Sequence, residues 1–102
     1  MPSIAQLEVL LAKEPNDAFL NFGLAMALVK EGRVDEALAS FDRALSLDPG
    51  YVTAYFQKAR AQADAGRVEE AKATLQAGIN QAKTTGDSHT WYEMCEYLES
   101  LG

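Results

Sequence analysis

Residues 31–37, Glu31-Gly32-Arg33-Val34-Asp35-Glu36-Ala37, return as Ala65-Gly66-Arg67-Val68-Glu69-Glu70-Ala71, with five of seven identical and a carboxylate kept at Asp35/Glu69. Gly32 and Gly66 set the offset at 34 residues, and the same offset pairs Phe22 with Phe56, Ala25 with Ala59, Phe41 with Leu75 and Ala44 with Gly78. A period of this length is that of a helix–turn–helix unit, which buries its apolar faces only when neighbours stack on it. The repeat restricts the chain of 102 residues to an all-α architecture.

The spacing inside each unit is helical. Leu20, Leu24, Ala27 and Leu28 fall on one helical face, and Val34, Ala37, Leu38, Phe41 and Leu45 on the face of the next helix. Between them Gly32 supplies the permissive backbone of a tight reversal, as Gly66 does one period later. Asp35 and Glu36, and again Glu69 and Glu70, stand in the first turn of the second helix, where the macrodipole favours anions. Asp48-Pro49-Gly50 closes the unit, because proline cannot continue a helix.

These residues resemble the tetratricopeptide repeat family. The first unit matches its pattern at Leu24, Ala25, Leu28, Gly32, Ala37, Phe41, Ala44 and Pro49. The second matches at Tyr55, Ala59, Gly66, Ala71, Leu75 and Gly78, and departs at Lys58, Gln62 and Lys83; Asn21 also stands where a large aromatic is commonest. Pro15 lies one period before Pro49, and Leu7 falls at the place of Phe41. The segment 3–13 therefore reads as a lone second helix, started by a capping box at Ser3-Ile4-Ala5-Gln6. Beyond an insertion around Thr84-Thr85-Gly86-Asp87, residues Trp91, Met94, Cys95 and Leu98 follow the first-helix pattern, with Asp87 or Ser88 as N-cap. The resemblance implies an αα-hairpin solenoid with a right-handed superhelix and about six helices. It divides one domain over residues 1–102 into a half-repeat at 3–13, full repeats at 18–51 and 52–85, and a capping helix at 87–101. The weakest helix is Gly78 to Thr85, since glycine costs about 1 kcal/mol against alanine in a helix interior unless close helix approach requires it.

Composition narrows the function. The formal charge is −6, and an acidic surface repels nucleic-acid phosphates and anionic lipid, so neither nucleic acid nor membrane is an expected partner. No apolar run approaches the roughly 20 residues that cross a bilayer. The start Met1-Pro2-Ser3 reads as a natural one without a secretory signal, and Gly102 as a plausible helix end. A single cysteine, Cys95, excludes an internal disulfide, and the cytoplasm is the expected location. No constellation for catalysis is visible, and the chain reads as no enzyme. Six residues separate His89 from Cys95, which puts them about 120° apart around a helix rather than facing each other. One His and one Cys build no zinc site, and Gly32 and Gly66 stand alone rather than in a phosphate loop, so no metal or cofactor is expected. Cys95 aligns with Ala25 and Ala59 and reads as a small core residue. The stripe Glu93, Glu96 and Glu99 reads as a solvated face or as a site for a basic partner.

In the family the first helices line the concave side, which takes a peptide. By position that side carries Phe19, Phe22, Met26, Val29 and Lys30, then Thr53, Phe56, Arg60 and Asp64, then His89, Tyr92, Glu96 and Glu99. The rows Phe22, Phe56, Tyr92 and Met26, Arg60, Glu96 make an aromatic strip flanked by charge, suited to a peptide because aromatics and Arg dominate interface energetics. Chaperone-binding members clamp a terminal carboxylate with Lys and Asn where this chain has Phe22 and Met26, so that clamp is not expected. Phe19, Phe22, Met26 and Val29 equally make a second apolar stripe, which the N-terminal helix with Ile4, Leu7 and Leu11 would partly cover. The expected function is a non-catalytic interaction module that binds a peptide segment of another protein. The rival is a homo-oligomer formed through the terminal helices.

Overall fold

The computed structural model describes residues 2–102, and among these it contains six helices and no strand: α1 (Ile4–Lys13), α2 (Ala18–Lys30), α3 (Val34–Leu47), α4 (Val52–Asp64), α5 (Val68–Thr85) and α6 (Ser88–Ser100). They form two compact units, one ending at Asp48 and the other running from Pro49 to Gly102.

In the N-terminal unit α1 begins at the expected capping box. The Gln6 amide donates to Ser3 Oγ at 3.1 Å, and the Ser3 amide donates to Gln6 Oε1 at 2.8 Å. Asp17 caps α2 by accepting from the Leu20 amide at 2.9 Å. One residue on, the unexpected Asn21 is buried, and its Nδ2 donates to the carbonyls of Asp17 at 2.8 Å and Pro15 at 3.3 Å. A polar side chain thus ties the α1–α2 connection to the helix start, work an aromatic at this position would not do. Gly32, at φ +75°, reverses the chain into α3. Between α2 and α3, Ala25, Leu28, Ala37, Phe41 and Ala44 are buried. The Phe41 ring meets Phe22 in an edge-on contact with centroids 6.0 Å apart. On the other side of α2, Leu7 of α1 is buried, and its Cδ2 lies 3.5 Å from where Gly23 would carry a Cβ.

The C-terminal unit repeats the hairpin with α4 and α5 and adds α6. Its core joins Val52, Ala59, Ala71, Leu75, Ile79, Ala82 and Met94, flanked by Tyr55, Phe56, Trp91 and Tyr97. Leu75 takes the fully buried place that Phe41 has in the first unit. Gly78 is required by close approach. A Cβ there would stand 2.6 Å from Tyr55 Cβ and 2.8 Å from Met94 Sδ, which removes the expected weakness of this stretch, and α5 runs unbroken to Thr85. It outlasts α3 because Lys83 occupies the place of Pro49, and lysine leaves the helix free to continue. Gln62, a departure from the repeat pattern, is buried: its Oε1 accepts from Thr74 Oγ1 at 2.6 Å, linking α4 to α5. Asp87 caps α6 by accepting from the Thr90 amide at 3.1 Å. That hydrogen bond, helped by one to the Thr90 side chain, holds the Asp87 carboxyl below its ordinary pKa.

Candidate functional site: two surface clefts

Three of the expected binding residues come together in the N-terminal unit. Phe19, Phe22 and Met26 line a cleft of about 280 Å³ with Pro2, Leu7, Leu10, Leu20 and Gly23. None of these side chains carries a hydrogen-bonding group, so only apolar surface can be matched there. The spacing of Phe19, Phe22 and Met26 turns them to the side of α2 that α1 covers only in part. Phe22 answers both readings of the sequence, because its ring contacts the buried Phe41 and also lines the cleft. Phe19 is 68% exposed, a large cost for a phenylalanine unless something covers it. Lys30 lies apart, in a separate recess with Ser3, Ile4, Ala5, Ala27 and Glu31. The exposed residue that the sequence reading missed here is Leu10 on α1. Its signal was present: Leu10 follows Leu7 at i+3, on the same side of the helix.

A second cleft, of about 360 Å³, lies in the C-terminal unit and is lined by Phe56, Glu93, Glu96, Tyr97 and Ser100. Phe56 and Glu96 were expected at a site. The aromatic that meets Phe56 is Tyr97, with ring centroids 5.8 Å apart and planes at 59°. Tyr92, the expected companion, is 59% exposed on α6 and is not part of this lining. The Arg60 guanidinium lies 5.8 Å from the centroid of the Phe56 ring, a cation–π pair. Burial raises the Tyr97 hydroxyl pKa, Asp64 raises it further, and Arg60 opposes both.

The residues considered for chemistry are dispersed. His89 Nε2 sits 3.3 Å from Glu93 Oε1 on the same helix, and Cys95 is a half-buried free thiol packed beside the C-terminal core. Among the described residues no group of three His, Cys, Asp or Glu side chains could hold a metal ion, and no helix is long and apolar enough to cross a membrane.

Comparison with known proteins bears on the family and the fold. The pattern of the tetratricopeptide repeat family matches residues 28–90 and, in a second form, residues 3–52. A tetratricopeptide repeat-containing protein of Pseudomonas aeruginosa is 31% identical over 98 residues, covering 96% of this chain and 93% of that protein. Among solved structures, the TPR2AB domain of yeast Sti1 in complex with pHSP90 superposes with a TM-score of 0.89 at 26% identity. It covers 96% of this chain, which spans 38% of that one. A protein of Bordetella parapertussis superposes with a TM-score of 0.85 at 25% identity, covering 99% of this chain and 88% of its own.

Proposed function

Because the chain belongs to the tetratricopeptide repeat family, whose domains are protein-interaction modules, we propose that it binds a peptide segment of another protein and catalyses no reaction. The observation that carries this reading is the apolar cleft of the N-terminal unit, with Phe19 projecting 68% exposed beside it. Apolar surface held open in water is costly, and a partner's side chains recover that cost on docking. The binding residues are Phe19, Phe22, Met26 and Lys30 on α2, Phe56 and Arg60 on α4, and Tyr92 and Glu96 on α6. The likeness to a domain solved with pHSP90 supports a protein as the partner. Phe22 and Met26 supply no charge or amide for a terminal carboxylate, which favours side-chain recognition over that clamp. A segment that orders on binding gives an affinity on the order of micromolar. The repeats run 18–51 and 52–85, between a half-repeat at 3–13 and a capping helix at 87–101.

The test is affinity capture from host lysate with wild type and with a Phe19→Asp, Met26→Asp variant whose helicity is checked by circular dichroism. A protein captured by the wild type and lost by the folded variant supports the reading; equal capture contradicts it.

One observation favours a second reading. Val9 and Leu10 on the outer side of α1 are 60% and 43% exposed, and with Pro2 and Gln6 they line a further recess. A second copy covering this face would make a homo-oligomer. Sedimentation equilibrium separates the readings: a monomer at high concentration rejects self-association, and a dimer lost in Val9→Glu supports it.

A further inference from the structure

We propose that the cleft between α4 and α6 receives a lysine or arginine side chain of the bound segment. This rests on the peptide-binding reading above and adds the chemistry of the ligand. Three features of the C-terminal unit converge on it. The cleft has an aromatic floor, Phe56 against Tyr97 at 5.8 Å, and ring faces of this kind attract cations. The guanidinium of Arg60 already lies against the Phe56 ring, 5.8 Å from its centroid, so an incoming cation is held chiefly by Tyr97 and the carboxylates. Two carboxylates, Glu93 and Glu96, stand in the lining beside that floor.

Carboxylates outnumber bases along α6. After Lys83 the chain contains no lysine or arginine, while Asp87, Glu93, Glu96 and Glu99 all follow it, with His89 as the one titratable base. His89 reaches only Glu93, at 3.3 Å. Asp64 of α4 adds a further carboxylate near Tyr97, opposed there by the guanidinium of Arg60. An incoming basic side chain gains aromatic contact along its stem and carboxylates at its head, the arrangement in which long cationic side chains bury best. An acidic side chain would meet Glu93 and Glu96 and be repelled. The lining is shallow and open, so a long side chain can lie along it with its head in water.

The experiment selects binders from a library of random linear peptides displayed on phage, using the full chain. The best peptide is then synthesised and titrated against wild type, Glu93→Gln/Glu96→Gln, and Glu69→Gln/Glu70→Gln, which removes the same charge from α5. The proposal expects selected peptides enriched in Lys or Arg. Their affinity should fall by about tenfold in the α6 variant and by less than about twofold in the α5 variant, with amide shifts in NMR spectra centred on Phe56, Glu96 and Tyr97. Selected peptides without basic residues, or binding that survives Glu93→Gln/Glu96→Gln, overturn the proposal and leave the peptide-binding reading standing. Equal losses in both charge variants also overturn it, since they show attraction to net charge alone. A library that yields no binder overturns both.

Discussion

At the scale of single residues, the departures from the repeat pattern are where the sequence was hardest to read. Gly78 looks like a weak point in a helix, yet a methyl group there has no space against Tyr55 and Met94. Gly78→Ala should therefore destabilise by about 1–2 kcal/mol despite alanine's better helix propensity, because overpacking outweighs it; urea denaturation of the two proteins measures this. Gln62 departs from the repeat pattern as a polar residue, and it is buried with Thr74 as its partner. Thr74→Val keeps the shape and removes the donor, leaving the Gln62 carbonyl oxygen unsatisfied, and should cost about 1–2 kcal/mol in the same assay. Asp87 gives a pH-dependent case. Its folded carboxyl pKa lies below the ordinary value near ~3.9, so its capping contribution is present above that value and lost as pH falls through the lowered one. Asp87→Ala should lower Tm at neutral pH, and the gap to wild type should close in strong acid; melts across the acid range follow it.

At the scale of elements, the order and nature of the helices were legible because the evidence for them is short-ranged. Caps at Ser3 and Asp87, the glycine reversals and the apolar spacing each act within a few residues, and they agree with one another. The extent of α5 was less plain, since the helix stop at Pro49 has no counterpart at Lys83 and the helix simply continues. Contacts between helices were the least legible. Aligning repeats identifies equivalent positions, which is why Tyr92 was paired with Phe56, whereas the crossing of α4 and α6 brings Tyr97 to that ring instead. Likewise periodicity could not say whether Phe22 is core or surface, and it is both. Within the hairpin the equivalence does extend to energetics: Phe41 and Leu75 are each fully buried. Phe41→Ala should cost about 3–5 kcal/mol, visible as a lower denaturation midpoint, and Leu75→Ala about 2–5 kcal/mol.

At the scale of the whole molecule, the helices do more than build two cores. In each unit they leave a cleft at the edge of the core, apolar in the N-terminal unit and aromatic with carboxylates in the C-terminal one. The central claim is that these clefts are where a partner protein is held. The most direct measurement is hydrogen exchange of the chain with and without the partner obtained by affinity capture. Slowed exchange concentrated in α2 around Phe19–Met26 and in α4 and α6 around Phe56 and Glu96–Tyr97 is the predicted result. Protection confined to α3 and α5, with α2, α4 and α6 unchanged, would contradict it.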